Sequence, residues 1–361
     1  MEALIVLKSY ISLPVVAGAL LVGFPYCVSL TAQWLYGWPN KPGYKKYIEA
    51  LKPRRIYRMT RVVLEMFKYL QYSKLFFQWK LWYNNDQTNF VKLDFYLPPS
   101  TGHSDANPTP VVVFVYGGAW GSGDRSMYCL LALQMAKELN ASVICPDYSI
   151  YPKGNTLSMI QDISDSLLWV RQNGHAFKVD QDNIILIGHS AGAHLCVLTT
   201  LFLINTVEEL FIETSRQREL VAAIKGIIGL SGVYNIMDHY EHEKTRGVEY
   251  VSTMHKAMDG LNNFAYYSPT SILKKMKEDQ LKQVPPVALL HGTNDIVVPV
   301  ESSLKLSELL ASLSVKMSLY LIPKLNHTDM VTDLMAADRH FYNILYDFLK
   351  QEFCTFLNKL Y

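Results

Sequence analysis

Along most of the chain, short apolar runs alternate with longer stretches of helical spacing. Residues 91–97 alternate polar and apolar positions, which predicts a strand at the edge of a sheet. Residues 111–116 are apolar and mostly β-branched, as expected of a strand buried on both faces. Similar short runs at 141–145, 184–187, 225–231, 287–290 and 315–321 predict further strands. Between them, 124–139, 157–172, 193–203, 302–313 and 331–357 read as helices, and 208–220 as a polar helical stretch. Residues 98–110 are turn-rich, and 232–282 are long and irregular. Strands that alternate with helices imply an α/β domain over 91–361, with a mostly parallel central sheet covered by helices on both faces.

The N-terminal pattern is different. Residues 9–40 form a run of 32 without a charged side chain, whereas a spanning helix needs about 20. Tyr10 lies near one end and Trp34, Tyr36 and Trp38 near the other, where interfacial aromatics sit. Residues 1–40 therefore read as a retained membrane anchor, with a cleaved signal peptide as the rival reading. Pro14 and Pro25 leave a kinked span and a re-entrant hairpin both open. Residues 41–90 read as a basic helical region. Between Lys41 and Lys80 eleven basic residues face two acids, while the whole chain carries a net charge of only +2. A basic flank behind an anchor places the body that follows in the cytosol. Within it, 54–83 reads as a helix that either lies in the membrane surface or packs on the catalytic body with a basic face to water. A basic excess in one segment, beside a mildly acidic body, points to a local partner and away from general nucleic-acid binding.

Half of the residues are hydrophobic, enough for one large core. The five cysteines are widely spaced, with no C-x-x-C pair. No disulfide framework or zinc site is expected, and a reducing compartment fits more easily.

The chemistry is concentrated after the strand at 184–187. Gly188-His189-Ser190-Ala191-Gly192 matches G-x-S-x-G between that strand and an apolar helix. Strand, sharp turn and helix make this pattern a nucleophile elbow, with the serine Oγ projecting above the strand end. The helix start aims free N–H groups at the site. A serine needs a base, and the base needs an orienting acid, in the chain order Ser, acid, His. Asp295 follows the strand at 287–290 in a Gly-containing turn, and His327 follows the last predicted strand in a polar turn. Asp329 is a rival acid, but it lies two residues from His327 and better fits a helix N-terminus. Ala191 and the loop Gly117-Gly118-Ala119-Trp120 supply candidate oxyanion donors. His189 joins them as a flanking candidate, and His194 reads as helix packing.

With these motifs in place the chain resembles the α/β-hydrolase superfamily, and within it the membrane-bound isoprenylcysteine α-carbonyl methylesterases. The resemblance runs from about residue 91 to the C-terminus. Besides the elbow, Asp295 and His327, it rests on Gly117 to Trp120, Ser231-Gly232-Val233-Tyr234-Asn235, His242, Arg246-Gly247, Met258-Asp259-Gly260 and Ser268-Pro269. It implies an α/β-hydrolase fold behind an N-terminal membrane segment, and a serine esterase acting on the methyl ester of a C-terminal prenylated cysteine. Ser190, Asp295 and His327 would be catalytic, and no metal or organic cofactor is expected. It also implies an endoplasmic reticulum or Golgi membrane with the catalytic domain on the cytosolic side. Kynurenine formamidases share a related Gly-Gly-x-Trp loop and elbow, a generic membrane-bound carboxylesterase or lipase is a further alternative, and a pseudoenzyme that binds prenylated partners is the non-enzyme alternative.

Overall fold

The computed structural model describes Gly23 and residues 93–99, 108–246, 248–249 and 252–358. The expected anchor at 1–40 and the basic region at 41–90 lie outside the described residues, apart from Gly23. Among the described residues, no helix is long and apolar enough to cross a membrane. The chain divides into two compact units, one of which holds Tyr72–His239 and Thr253–Tyr361. Tyr240–Ser252 belong to the other. There Glu243 is buried, and that burial pushes its carboxyl up to about 7.

The larger unit is built on seven strands: β1 (Leu93–Tyr96), β2 (Thr109–Val115), β3 (Ser142–Pro146), β4 (Val179–His189), β5 (Ile224–Leu230), β6 (Val287–Gly292) and β7 (Met317–Ile322). Their order across the sheet is β1-β3-β2-β4-β5-β6-β7. Among the described strands only β1 runs antiparallel, at the edge beside β3. Every residue of β2 is buried, as its apolar and β-branched sequence demands. The helices include α1 (Cys129–Leu139), α2 (Thr156–Asn173), α3 (Ala191–Ile204), α4 (Thr214–Ala223) and α5 (Ile236–Arg246). The short α6 (Met254–Ala257), α7 (Pro269–Leu273) and α8 (Glu278–Leu281) precede β6, and α9 (Glu301–Ser312) follows it. After β7 come α10 (Asp329–Thr332) and the 15-residue α11 (Tyr342–Phe356).

The order across the sheet reverses between β2 and β4. The chain leaves β2 for β3 on one side, then crosses back to β4 on the other. Such a reversal opens a crevice at the carboxyl ends of the strands, where α/β proteins place their ligands. The elbow lies at that point. Helix α3 is buried along its whole length, consistent with its all-round apolar sequence. It packs so close to β2 that a Cβ on Gly192 would lie 2.0 Å from the Val115 carbonyl oxygen. Any side chain there would push the helix off the sheet.

Within the larger unit the elements expected from residue 93 onward are present with shifted ends; the stretch 232–282, expected to be irregular, holds α5 to α8, and three further stretches differ in kind. The helix expected at 124–139 begins as a 3-10 turn, Arg125–Tyr128, capped by the Asp124 side chain. The polar stretch at 208–220 is broken by Phe211 in the left-handed region before α4 begins. The long helix expected at 331–357 is split into α10 and α11, and between them Asp333 accepts a 2.9 Å bond from the Phe341 N–H. Among the described residues, Cys129, Cys145, Cys196 and Cys354 are free.

Candidate active site

Ser190 stands between β4 and α3 with φ 56° and ψ −120°. An L-residue held in such a conformation stores about 1–3 kcal/mol of strain. Hydrogen bonds hold it there. Its N–H donates to the Leu230 carbonyl on β5 at 2.9 Å, and its carbonyl accepts from the His194 N–H at 3.2 Å. The side chain is buried but reaches the surface of the crevice, the residue being 8% exposed.

Asp295 and His327, the expected acid and base, come from the loops after β6 and β7. The His327 Nδ1–H donates to Asp295 Oδ2 at 2.7 Å. The second oxygen, Oδ1, accepts from the N–H groups of Val297 and Val298, both at 2.9 Å. One carboxylate thus closes its own turn and orients the imidazole. Burial alone would push Asp295 up, but His327 beside it and hydrogen bonds from His291 and His327 outweigh that and hold it well below the ordinary carboxylate range. The two loops are joined by a 3.0 Å bond from the Asn294 N–H to the Leu325 carbonyl. Asp329 turns away from His327. It opens α10 and accepts a 2.5 Å bond from Asn326 Nδ2.

His291 was not singled out by its sequence. It is fully buried beneath the acid turn, with Nε2 donating to the Val298 carbonyl at 3.1 Å and lying 3.4 Å from Asp295 Oδ2. Its Nδ1 is 2.8 Å from the Ser303 hydroxyl.

The glycine loop after β2 lies against the elbow. A Cβ on Gly117 would sit 3.0 Å from the Ser190 Cβ. Gly118, Ala119 and Trp120 all have positive φ, at 144°, 49° and 58°. Ala191, at the start of α3, is 1% exposed. The loop is pinned on several sides. The Tyr151 N–H donates to the Trp120 carbonyl at 2.8 Å, and the Thr253 hydroxyl donates to the Ala119 carbonyl. Trp120 Nε1 donates to His194 Nδ1 at 3.1 Å. His194 therefore packs in its helix, as read, and also holds this loop, a role that its sequence position does not reveal. Tyr116 precedes the glycines as part of an aromatic stack, with its ring 4.5 Å from that of Tyr148.

His189, a candidate for the oxyanion and substrate group, has a buried side chain that faces the base loop. Its Nε2 donates to the His327 carbonyl at 3.1 Å. Within the expected irregular stretch, Asn235, Asp238, His239 and Thr270 line a polar groove of about 690 Å³, which Ser302 and Lys305 of α9 complete. Among the described residues, no group of three or more His, Cys, Asp or Glu side chains could hold a metal ion.

A strained serine at a sheet crevice, with an imidazole–carboxylate pair and a glycine loop around it, can activate a hydroxyl for attack on an acyl carbon. The fold and this arrangement define the α/β-hydrolase class. More particularly, the chain belongs to the BD-FAE family, whose profile matches residues 93–310. It is similar to a probable isoprenylcysteine alpha-carbonyl methylesterase of Oryza sativa, with 34% identity covering 66% of this chain and 55% of that protein. It is also similar to the isoprenylcysteine alpha-carbonyl methylesterase of Arabidopsis thaliana, with 35% identity covering 66% of this chain and 54% of that protein. The chain thus spans about half the length of these curated relatives. Among solved structures it resembles a fungal esterase of Rhizomucor miehei in fold. The TM-score is 0.59 at 18% identity, over 76% of this chain and 82% of that one.

Proposed function

We propose that this chain is a serine carboxylesterase that hydrolyses the methyl ester of a C-terminal prenylated cysteine. The observation that carries the chemistry is Ser190, held at φ 56° beside a loop pair in which Asp295 grips His327 Nδ1 at 2.7 Å. With Nδ1 bound, His327 offers Nε2 as the base. It takes the Ser190 proton as Oγ attacks the ester carbon. The N–H groups of Gly118, Ala119 and Ala191 hold the developing oxyanion. His327 returns the proton to the leaving methanol, and water then releases the acid from the acyl-serine by the same steps in reverse. The chemistry calls for no metal or organic cofactor. The curated relatives named as methylesterases support the choice of ester.

In this reading the uncharged run at 9–40 anchors the chain in an endoplasmic reticulum or Golgi membrane, with the catalytic body on the cytosolic side. A prenylated substrate would lie in the facing leaflet. The Asn326-His327-Thr328 sequon supports that side, because Asn326 Nδ2 is bonded to Asp329 and a glycan there would crowd His327.

The test compares a farnesylcysteine methyl ester, N-formylkynurenine and a short p-nitrophenyl ester, using wild type beside Ser190→Ala. Serine-dependent preference for the prenyl ester is the expected result. Preference for the formamide would move the chain to the formamidases. A wild type that neither turns over an ester nor labels at Ser190 with a fluorophosphonate would be a binding protein.

A further inference from the structure

The residue before the candidate nucleophile is a histidine that esterolysis does not use directly. His189 is 1% exposed at the end of β4. Its Nε2 lies 3.1 Å from the His327 carbonyl. A carbonyl oxygen only accepts, so Nε2 carries the proton and donates it. Nδ1 is then a bare acceptor. It is buried and has no hydrogen-bond partner among the described residues. On that side the ring meets the glycine loop, since a Cβ on Gly117 would lie 3.0 Å from Nδ1. On the other side it packs on the His327 ring, with centroids 4.6 Å apart and planes at 42°. The imidazole therefore spans the gap between the oxyanion loop and the base loop.

We infer that His189 is a positioning residue that seats the base-bearing loop on the nucleophile elbow through its Nε2–H bond to the His327 main chain. The inference rests on the esterase reading above. Asp295 fixes the direction of the His327 ring, but a ring can be well directed and still stand too far from the serine. The main-chain bond supplies the missing constraint. It ties the Cα of the base to the residue adjacent to Ser190, so the distance between base and nucleophile follows from one short covalent path and one hydrogen bond. Burial, and then the neighbouring His327, push the His189 pKa well below that of an ordinary histidine. The ring therefore stays neutral and places no like charge beside His327 when that residue takes up the serine proton.

Plain core packing predicts something different, and three substitutions separate the two. The amide nitrogen of His189→Gln reaches the Nε2 position, whereas that of His189→Asn falls at the Nδ1 position. His189→Phe keeps the ring and has no donor. Each variant is purified, its Tm recorded, and kcat and KM measured on a short p-nitrophenyl ester and the farnesylcysteine ester, together with the rate of fluorophosphonate labelling at Ser190. A misplacement near 1 Å costs about 10²-fold in rate. The Phe and Asn variants should therefore lose about 10–100-fold in kcat and in labelling rate, with KM within about threefold, while Gln stays within about fivefold of wild type. If Phe fails to fold, the Gln–Asn pair carries the comparison. Equal activity of Gln and Asn, or full activity of Phe, would overturn the role of His189 and leave the esterase reading intact. A wild type with no serine-dependent turnover and no labelling would overturn the esterase reading and this role with it.

Discussion

Trp120 Nε1 donates a 3.1 Å hydrogen bond to His194 Nδ1, joining the glycine loop to the helix that begins at Ala191. The acceptor's other nitrogen, Nε2, lies 2.7 Å from the Tyr267 carbonyl and must donate to it. A neutral imidazole has one proton and one lone pair, and both are used here. The line Trp120–His194–Tyr267 thus braces three consecutive residues at positive φ, a conformation that the loop would not hold alone. Trp120→Phe keeps most of the ring and deletes the donor. It should lower kcat on a short ester about tenfold or more, leave KM nearly unchanged, and cost about 1–3 kcal/mol by stranding a buried acceptor. Steady-state kinetics and urea unfolding of the variant check both halves.

The same histidine makes the fold sensitive to acid. Burial, opposed only by its bond to Tyr267, lowers His194 to about 4. An unfolded chain binds that proton near pH 6.5, so between about 6.5 and 4 the unfolded state holds more protons than the folded one. The stability tied to His194 is therefore complete above pH 6.5 and lost as pH falls toward 4, in total about 3 kcal/mol. His194→Asn keeps an acceptor for Trp120 and does not titrate. Urea midpoints at pH 7.5 and 4.5 should fall less for this variant than for wild type. An equal fall in both would remove His194 as the source.

Asp295 separates orientation from folding in one side chain. Asp295→Asn leaves an oxygen to accept from the Val297 and Val298 N–H groups, so the turn persists. The amide that replaces Oδ2 cannot accept from His327 Nδ1. His327, the proposed base, then loses its tautomer and its partner, and kcat should fall about 10⁴-fold with little change in Tm. A loss below about tenfold would show that another group orients His327.

The parts of the site that could be read from the sequence share one property: each is announced by its immediate neighbours. Ser190 lies between an apolar strand and an apolar helix, Asp295 in a turn after a strand, and His327 in a polar turn after the last strand. The parallel sheet was legible for the same reason, because β2 and the 184–187 part of β4 are apolar runs that only a sheet covered on both faces can bury. What stayed hidden depends on chain crossings. Trp120 and His194 are 74 residues apart, and His189 and the His327 carbonyl 138. No local pattern marks such pairs. His291 and Ser303 are near in sequence, yet a histidine in an apolar strand reads as core until its partners are seen. The split between α10 and α11 has a related cause. Residues 331–357 favour helix, but the Asp333 side chain takes the Phe341 N–H and turns the chain.

Two glycines with positive φ separate strain from function. Gly118, at φ 144°, belongs to the proposed oxyanion loop, and a Cβ there would meet the Ser122 carbonyl oxygen at 2.0 Å. Gly260, at φ 96°, precedes the 3-10 turn Leu261–Asn263, and nothing lies within 4 Å of its added Cβ. Both alanine variants carry backbone strain, worth about 1–3 kcal/mol. Only Gly118→Ala must also displace a backbone oxygen. That shift moves the N–H groups which would face the oxyanion, and losing one such donor costs about 10²–10³ in kcat. Gly118→Ala should therefore lose that much activity while remaining folded at assay temperature. Gly260→Ala should lower the unfolding midpoint and leave kcat within about twofold of wild type. Matched losses of activity in the two variants would mean that strain alone slows the enzyme, and the glycine loop would have no special claim on the oxyanion.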